Sequence, residues 1–126
     1  MPSLSELIER LKKTDEGSHD LDVLIYRALG IHDEIVSPYT TSIDAAMQLV
    51  EANLPPSKSY GKTDTGEGWK IGFYRSPYPL NGIHSWKVMI RDHAENGVTI
   101  HHKSLPIAIC IALLKTIAAH AAQAAP

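Results

Sequence analysis

The chain has 126 residues, a length that fits one domain built around one hydrophobic core. Its hydrophobic fraction of 44% and charged fraction of 21% are those of an ordinary globular protein. The net charge of −2 lacks the basic excess that neutralises nucleic-acid phosphates, so general nucleic-acid binding is disfavoured.

Three features of the sequence bear on where the protein resides. The single cysteine, Cys110, excludes an intrachain disulfide and fits a reducing cytoplasm. The N-terminal residues are amphipathic and mixed in charge, without the basic start and apolar core of a signal peptide. The longest apolar run, residues 105–114, has ten residues, whereas a membrane-spanning helix needs about 20. We therefore expect a cytoplasmic protein with no membrane partner.

Two amphipathic helices are predicted near the N-terminus. The first covers residues 4–13, because Ser3 and Glu6 form a capping box and apolar residues follow at helical spacing. Ser18 can cap the second helix, and Gly30 stands where a left-handed C-terminal cap belongs. Both helices present one apolar stripe, so each is expected to pack on a neighbour.

A third helix is predicted within "TTSIDAAMQLVEANL", residues 40–54. Thr41 and Asp44 fit a capping box at its start, and a Pro-Pro pair follows its end. The next residues are polar and contain glycine, with few side chains to bury. We therefore predict a mobile loop over residues 55–68.

The hydrophobic period changes from helical to two at Trp69. Apolar and polar residues then alternate, which is typical of strands with one buried face. The segments concerned are "WKIGFY" (69–74), "SWKVMI" (85–90) and "VTIHH" (98–102). The sequence thus predicts an α/β fold: a small, mainly antiparallel three-stranded sheet with helices packed around it, in a single domain spanning residues 1–126.

The second hairpin carries a turn signal. Asn96–Gly97 favours a tight two-residue turn between the last two strands. Such a turn would set Asp92 opposite His101 as a cross-strand charge pair.

The segment "SLPIAICIALLKTIAAHAAQ", residues 104–123, predicts a helix that is apolar on nearly all sides. One stripe should face the sheet, and a second stripe with Ile109, Leu113 and Ile117 needs another cover. Soluble monomers rarely leave a large apolar patch in water, so we predict a homodimer or higher symmetric oligomer with these three residues at the interface. Within the chain, the alternative covers are the third helix, through Met47 and Val50, and the N-terminal helix, residues 4–11.

Five segments carry a family resemblance through their order and spacing. They are "LDVLIYRALG", "PYTTSIDAAMQLVE", "GWKIGF", "HSWKVMI" and "SLPIAICIALLKTIAA", and they span roughly residues 20–119. The chain resembles the phage ABA sandwich family of small phage and prophage proteins. The N-terminal helix, within residues 1–17, lies outside the match. The resemblance implies an α/β/α layered domain acting in a host cytoplasm, with no settled activity and no catalytic residues to transfer.

The segment "YRSPYPLNGIH", residues 74–84, joins two predicted strands and is the best candidate for a binding site. Aromatic, cationic and amide side chains of this kind can stack on a planar ring and hydrogen-bond to phosphate or carboxylate groups. Loops on a rigid scaffold often carry such functions, although an ordinary hairpin loop is the alternative. The predicted ligand-binding residues are Tyr74, Arg75, Tyr78, Asn81 and His84.

Other reactive residues have simpler structural explanations. Adjacent His101 and His102 point to opposite faces of a strand, which makes them poor ligands for one metal ion. Cys110 lies among isoleucines and leucines, so we expect an inert core thiol. The segment "GKTDTGEG", residues 61–68, lacks the spacing of a phosphate-binding loop. We predict no catalytic residue, no metal and no cofactor.

Two classes of function remain. The first is a non-enzymatic accessory binding protein. The phage resemblance implies interference with host defence, most concretely by sequestering a small anionic nucleotide-type signal in a pocket shared between subunits. Binding and blocking a host protein is the alternative within this class. The second class is a small hydrolase that uses His84 or His101, although the sequence shows no acid–base–nucleophile set of recognisable spacing.

Overall fold

A computed structural model describes residues 3–54, 70–75, 85–91 and 97–124, with side chains up to Ala119. The described elements confirm the predicted α/β fold, with helices packed against a three-stranded antiparallel sheet. The predicted loop over residues 55–68 lies outside the described residues. In chain order the elements are α1 (Leu4–Lys13), α2 (His19–Ala28), α3 (Ile43–Asn53), β1 (Lys70–Arg75), β2 (Trp86–Arg91), β3 (Gly97–His102) and α4 (Leu105–Ala124).

Serine caps and one glycine set the ends of the first three helices. The hydroxyl oxygens of Ser3 and Ser18 accept backbone N–H bonds of 3.2 and 3.3 Å from the third residue of each helix, as predicted. Gly30 has a φ of 64°, the left-handed conformation expected just after α2. The cap of α3 is Ser42 rather than the predicted Thr41, because it is Ser42 Oγ that accepts the N–H of the third helical residue at 3.2 Å.

The three strands form one sheet in the order β1–β2–β3. Val88 of the central strand lies between Phe73 and Ile100, and the alternation along each strand fixes which residues share a face. Val88 and Ile90 are fully buried on the face that packs against α4. Phe73 points to the same side but is 40% exposed, because α4 lies over β2 and β3 and leaves β1 at the margin.

Helix α4 is enclosed on all sides over its N-terminal half. Every residue from Ile107 to Leu114 has no exposed surface. The sheet covers one side through β2 and β3, and α1 and α3 cover the others. Leu7 and Leu11 of α1 are also fully buried, so the N-terminal helix supplies one of the two covers predicted within the chain. None of the described helices combines the length and apolar character needed to cross a membrane.

This burial revises the predicted subunit interface. Ile109 and Leu113 are fully buried inside one chain, and only Ile117 is partly exposed. Ile109 and Leu113 therefore have no exposed surface through which they could contact a second subunit. A homo-oligomer stays a prediction, and it would have to use another surface.

The described helices lie on one side of the sheet. Helix α4 contacts the strands, α1 and α3 pack on α4, and α2 packs on α1. On the opposite face Tyr74, Thr99 and His101 are exposed. In the described part of the chain, α4 therefore lies between the sheet and the other helices. The α/β/α layering implied by the family resemblance would place helices on both faces of the sheet.

A buried polar cluster ties α2 to the segment before α3. Asp22 Oδ1 accepts the backbone N–H of Thr40 at 2.9 Å and its hydroxyl at 2.7 Å, and both residues are almost fully buried. Thr40 Oγ1 in turn accepts the backbone N–H of Ser18 at 3.0 Å. A Cβ on Gly17 would lie 2.2 Å from the carbonyl oxygen of Thr40, so only glycine allows this approach. These hydrogen bonds hold the backbone just before α3 against the start of α2.

Candidate functional site

The face of the sheet turned away from the helices is the best candidate for a binding surface; we call it the open face. Its described positions include the cations Lys87 and Arg91 and no carboxylate. Phosphate and carboxylate groups are therefore the ligands it favours. The nine positions are Lys70, Gly72, Tyr74, Lys87, Met89, Arg91, Gly97, Thr99 and His101.

One row across the open face combines an aromatic ring, an ammonium and an imidazole. Tyr74 of β1 pairs with Lys87 of β2, which pairs with His101 of β3. Lys87 Nζ lies 5.4 Å from the centroid of the Tyr74 ring, within the range of a cation–π contact. This contact holds the ammonium over the face while its N–H donors can still bind an anion. Tyr74 is 45% exposed, so its ring is accessible for stacking.

Two further groups border this row. Gly72 lies two residues before Tyr74 on the same face, and a Cβ built there would meet no described atom within 4 Å, so the space beside the ring is open. Ser85 directly precedes β2, and strand alternation places it on the side of Lys87. Its hydroxyl is buried and has no hydrogen-bond partner in the described structure. Because its oxygen is buried, this hydroxyl does not reach a ligand on the surface of the open face.

A second cation of the open face lies two rows further along β2 than Lys87. Arg91 is exposed, and its Nη2 lies 3.6 Å from the sulfur of Met89. The guanidinium thus folds toward the centre of the face, on the far side of Met89 from Lys87. An anion over Met89 would have a positive charge on either side of it along the strand.

The structure divides the ligand-binding residues predicted from the sequence. Tyr74 lies on the open face, but Arg75 follows it and lies on the opposite side, in register with Trp86 and His102. The other three predicted residues, Tyr78, Asn81 and His84, lie outside the described residues. In place of Arg75, the strand pairing brings Lys87 and His101 next to Tyr74.

The predicted pairing of Asp92 with His101 is wrong. In the observed register His101 lies opposite Lys87, and Gly97 pairs with Arg91 as part of β3. A two-residue turn at Asn96–Gly97 would pair Val98 with Glu95, whereas Val98 pairs with Ile90. His101 therefore adds a hydrogen-bonding ring to the cationic row instead of a charge pair.

His102 points to the opposite side from His101, as predicted, and holds two segments together. Its Nδ1 accepts the backbone N–H of Ser104 at 2.9 Å, so the proton of the neutral ring is on Nε2. Nε2 then donates to the carbonyl oxygen of Thr14 at 2.8 Å. The imidazole thus joins the end of α1 to the start of α4. This role is structural.

Replacing His102 by Ala should lower the free energy of unfolding by about 1–3 kcal/mol, because a buried N–H and a carbonyl lose their partner. The adjacent His101→Ala is the matched control and should change it by less than about 0.5 kcal/mol, since that ring is exposed. Urea denaturation of both variants measures the difference. Equal losses at the two positions would contradict the role given to His102.

Cys110 is a core residue, in line with the prediction of an inert thiol. It is fully buried, and its thiol donates to the carbonyl oxygen of Tyr39 at 3.4 Å. Burial raises the pKa of the Cys110 thiol far above its ordinary value, and the charge of Asp22 adds to the effect. A thiol that stays protonated is a poor nucleophile.

A small cavity lies between α3 and the sheet. It has a volume of about 140 Å³. Its lining is mostly apolar, with Met47, Leu54, Ile71 and Ile90 among the contributing residues. An apolar group suits it better than an anion does. The described residues contain no group of three His, Cys, Asp or Glu side chains placed to hold a metal ion.

Comparison with known proteins adds no function. No protein-family model, no curated protein and no solved structure matches the chain. The resemblance to phage ABA sandwich proteins therefore rests on the five sequence segments alone.

Proposed function

We propose that the protein is a non-enzymatic binding protein that sequesters a small anionic ligand of nucleotide type on its open face. The observation that carries the proposal is the row of Tyr74, Lys87 and His101 across three paired strands. A nucleotide offers a planar base for the tyrosine ring and phosphate oxygens for the ammonium and imidazole.

The composition of the open face favours binding over catalysis. Its nine positions include no Asp, Glu, Ser or Cys, so no carboxylate at these positions is available to act as a general base beside His101. Cys110 lies in the core, and His102 makes structural hydrogen bonds with both ring nitrogens. These features support binding of a ligand at the open face.

The biological setting of the proposal comes from the resemblance to small phage proteins. In that setting, a protein that captures a nucleotide signal in the host cytoplasm would act against host defence. The chemistry of the open face is compatible with this role and selects no particular signal.

Binding can be tested by thermal denaturation with ADP and with inorganic pyrophosphate. A ligand that binds only the folded protein stabilises it by about 2.7 kcal/mol at a hundredfold excess over Kd, which shifts the melting temperature by several degrees. Lys87→Ala should weaken binding of both compounds about tenfold, because a charge-assisted bond contributes roughly 1.5 kcal/mol or more. Tyr74→Leu should weaken ADP only, since pyrophosphate has no base to stack.

Two variants serve as controls. Lys13→Ala removes the same charge from an exposed position on α1, and Arg75→Ala removes the predicted residue on the other side of the sheet. Both should bind ADP as the unmodified protein does. The proposal fails if neither compound raises the melting temperature at millimolar concentration, or if Arg75→Ala loses binding while Lys87→Ala keeps it. ADP recovered intact after denaturing the complex indicates sequestration, and a converted product indicates an enzyme.

A further inference from the structure

A groove lies between α3 and the segment that connects α2 to it, on the side of the sheet that carries the helices. It has a volume of about 100 Å³, and its lining includes the buried side chains of Tyr39 and Leu49. Asp33 and Asn53 add a carboxylate and an amide to the lining. The groove is therefore apolar in part and carries polar groups beside its apolar surface.

The size of this groove fits one side chain. Sites for small molecules have volumes of about 300–1,000 Å³. A volume of 100 Å³ is the room of roughly three water molecules. A lysine or arginine side chain can lay its methylene groups on apolar atoms and keep its charge at a polar edge. Leu49 offers the apolar atoms, and the exposed Asp33 offers a carboxylate for the charge.

The segment that forms the groove is acidic and has no basic side chain apart from a histidine. Residues 31–54 contain no lysine or arginine and four exposed carboxylates. These are Asp33, Glu34, Asp44 and Glu51. The whole chain has 12 lysines and arginines against 14 carboxylates, so the charge asymmetry belongs to this segment. Such a surface attracts a positively charged partner and repels the same surface of a second copy.

An exposed isoleucine adds an apolar contact beside the groove. Ile35 is 77% exposed, the largest fraction among the large hydrophobic side chains of the described residues. Asp33 and Ser37, two positions before and after it, both line the groove. The Tyr26 hydroxyl donates to the carbonyl oxygen of Asp33 and holds this segment on α2. A surface that is already ordered loses little entropy when a partner binds.

We infer that this groove and Ile35 form a docking surface for another protein that presents a lysine or arginine next to an apolar residue. The cationic side chain enters the groove and pairs with Asp33, and the apolar residue contacts Ile35. The other carboxylates of residues 31–54 attract further positive charge in the same part of the partner. This surface is separate from the open face, so the inference does not depend on ADP binding.

Selection of random 12-residue peptides on the full chain tests the chemistry of this surface. Peptides are kept that bind the unmodified chain and fail to bind the double variant Asp33→Asn/Ile35→Ser. We expect these peptides to carry lysine or arginine beside an apolar residue. Fluorescence anisotropy should then show that Asp33→Asn and Ile35→Ser each raise the Kd of such a peptide about tenfold, through loss of a charge-assisted bond and of an apolar contact.

Two controls make the result specific to the docking surface. Glu6→Gln removes a carboxylate from an exposed position on α1, outside the groove, and should leave the Kd unchanged. The double variant should melt within about 3 °C of the unmodified chain, because both of its positions are exposed. A larger fall would contradict the exposure on which the surface depends.

Three other results would overturn the inference. The first is that no peptide distinguishes the unmodified chain from the double variant. The second is that the peptides that do so lack a lysine or arginine. The third is that Glu6→Gln weakens binding as much as Asp33→Asn does, which would show a general effect of net charge.

Discussion

Replacing Leu113 by Ala should lower the free energy of unfolding by about 2–5 kcal/mol. The side chain has no exposed surface and lies in the enclosed part of α4, where the sheet, α1 and α3 surround the helix. Removing three buried carbon atoms there loses their transfer free energy and leaves a cavity that rigid neighbours fill only in part. Urea denaturation followed by circular dichroism measures the loss.

The same experiment decides whether Leu113 belongs to one chain or to an interface. In a monomer core the loss is independent of protein concentration, whereas the stability of an oligomer depends on it. Ile35→Ala is a matched control, because Ile35 is 77% exposed and should change stability by less than about 0.5 kcal/mol. A loss below about 1 kcal/mol for Leu113→Ala, or a loss whose size changes with protein concentration, would contradict the position of Leu113 in the core of one chain.

Asp22→Ala is expected to lower the free energy of unfolding by about 3 kcal/mol. The change leaves the buried N–H and hydroxyl of Thr40 without their acceptor, and each unsatisfied buried group costs roughly 1–3 kcal/mol. The close approach of Gly17 to Thr40 leaves little room for a relaxed arrangement. Denaturation by urea again gives the value.

Two further variants in α2 separate what the hydrogen bonds of Asp22 contribute to stability from what its charge and its place in the helix contribute. Asp22→Asn keeps an oxygen acceptor for both Thr40 donors and should restore much of the stability. Asp20→Ala changes an exposed aspartate two residues earlier and should cost only a few tenths of a kcal/mol. If Asp22→Asn is as unstable as Asp22→Ala, the hydrogen bonds to Thr40 are not what Asp22 contributes.

Local signals in the sequence were sufficient for the secondary structure. Ser3 and Ser18 cap their helices as predicted, and Gly30 adopts the left-handed conformation. These features depend on residues within a few positions of one another, which the sequence displays directly. The shift from Thr41 to Ser42 at the start of α3 is a choice between neighbouring hydroxyls that the pattern alone does not make.

The partners of an apolar stripe are not local, and here the sequence was ambiguous. The stripe of α4 with Ile109 and Leu113 needed a cover, and hydrophobic patterning does not say which apolar surface supplies it. Helices α1 and α3 were the alternatives within the chain, and both pack on α4 in the structure, where Leu7 and Leu11 of α1 are fully buried. Which surface covers the stripe depends on the three-dimensional arrangement of the helices. The spacing of apolar residues along the chain does not determine that arrangement.

The candidate site shows the same limit. Tyr74 could be selected from the sequence, because it is an aromatic residue at the end of a strand. Lys87 and His101 could not, because their position beside Tyr74 depends on the register of two hairpins. The register shifts with the length of each connection, and the Asn96–Gly97 signal predicted the wrong one. The polar positions of the alternating strands were the only indication that these residues share a face.

The most direct test of the open face as the binding surface is a titration of ¹⁵N-labelled protein with ADP, followed residue by residue in NMR spectra. We expect the largest amide shifts on the strands of the open face, centred on Tyr74, Lys87 and His101. Little change is expected in α1 and α2. Shifts centred instead on the cavity between α3 and the sheet, around Leu54 and Ile71, or the absence of any shift at millimolar ADP, would contradict the account.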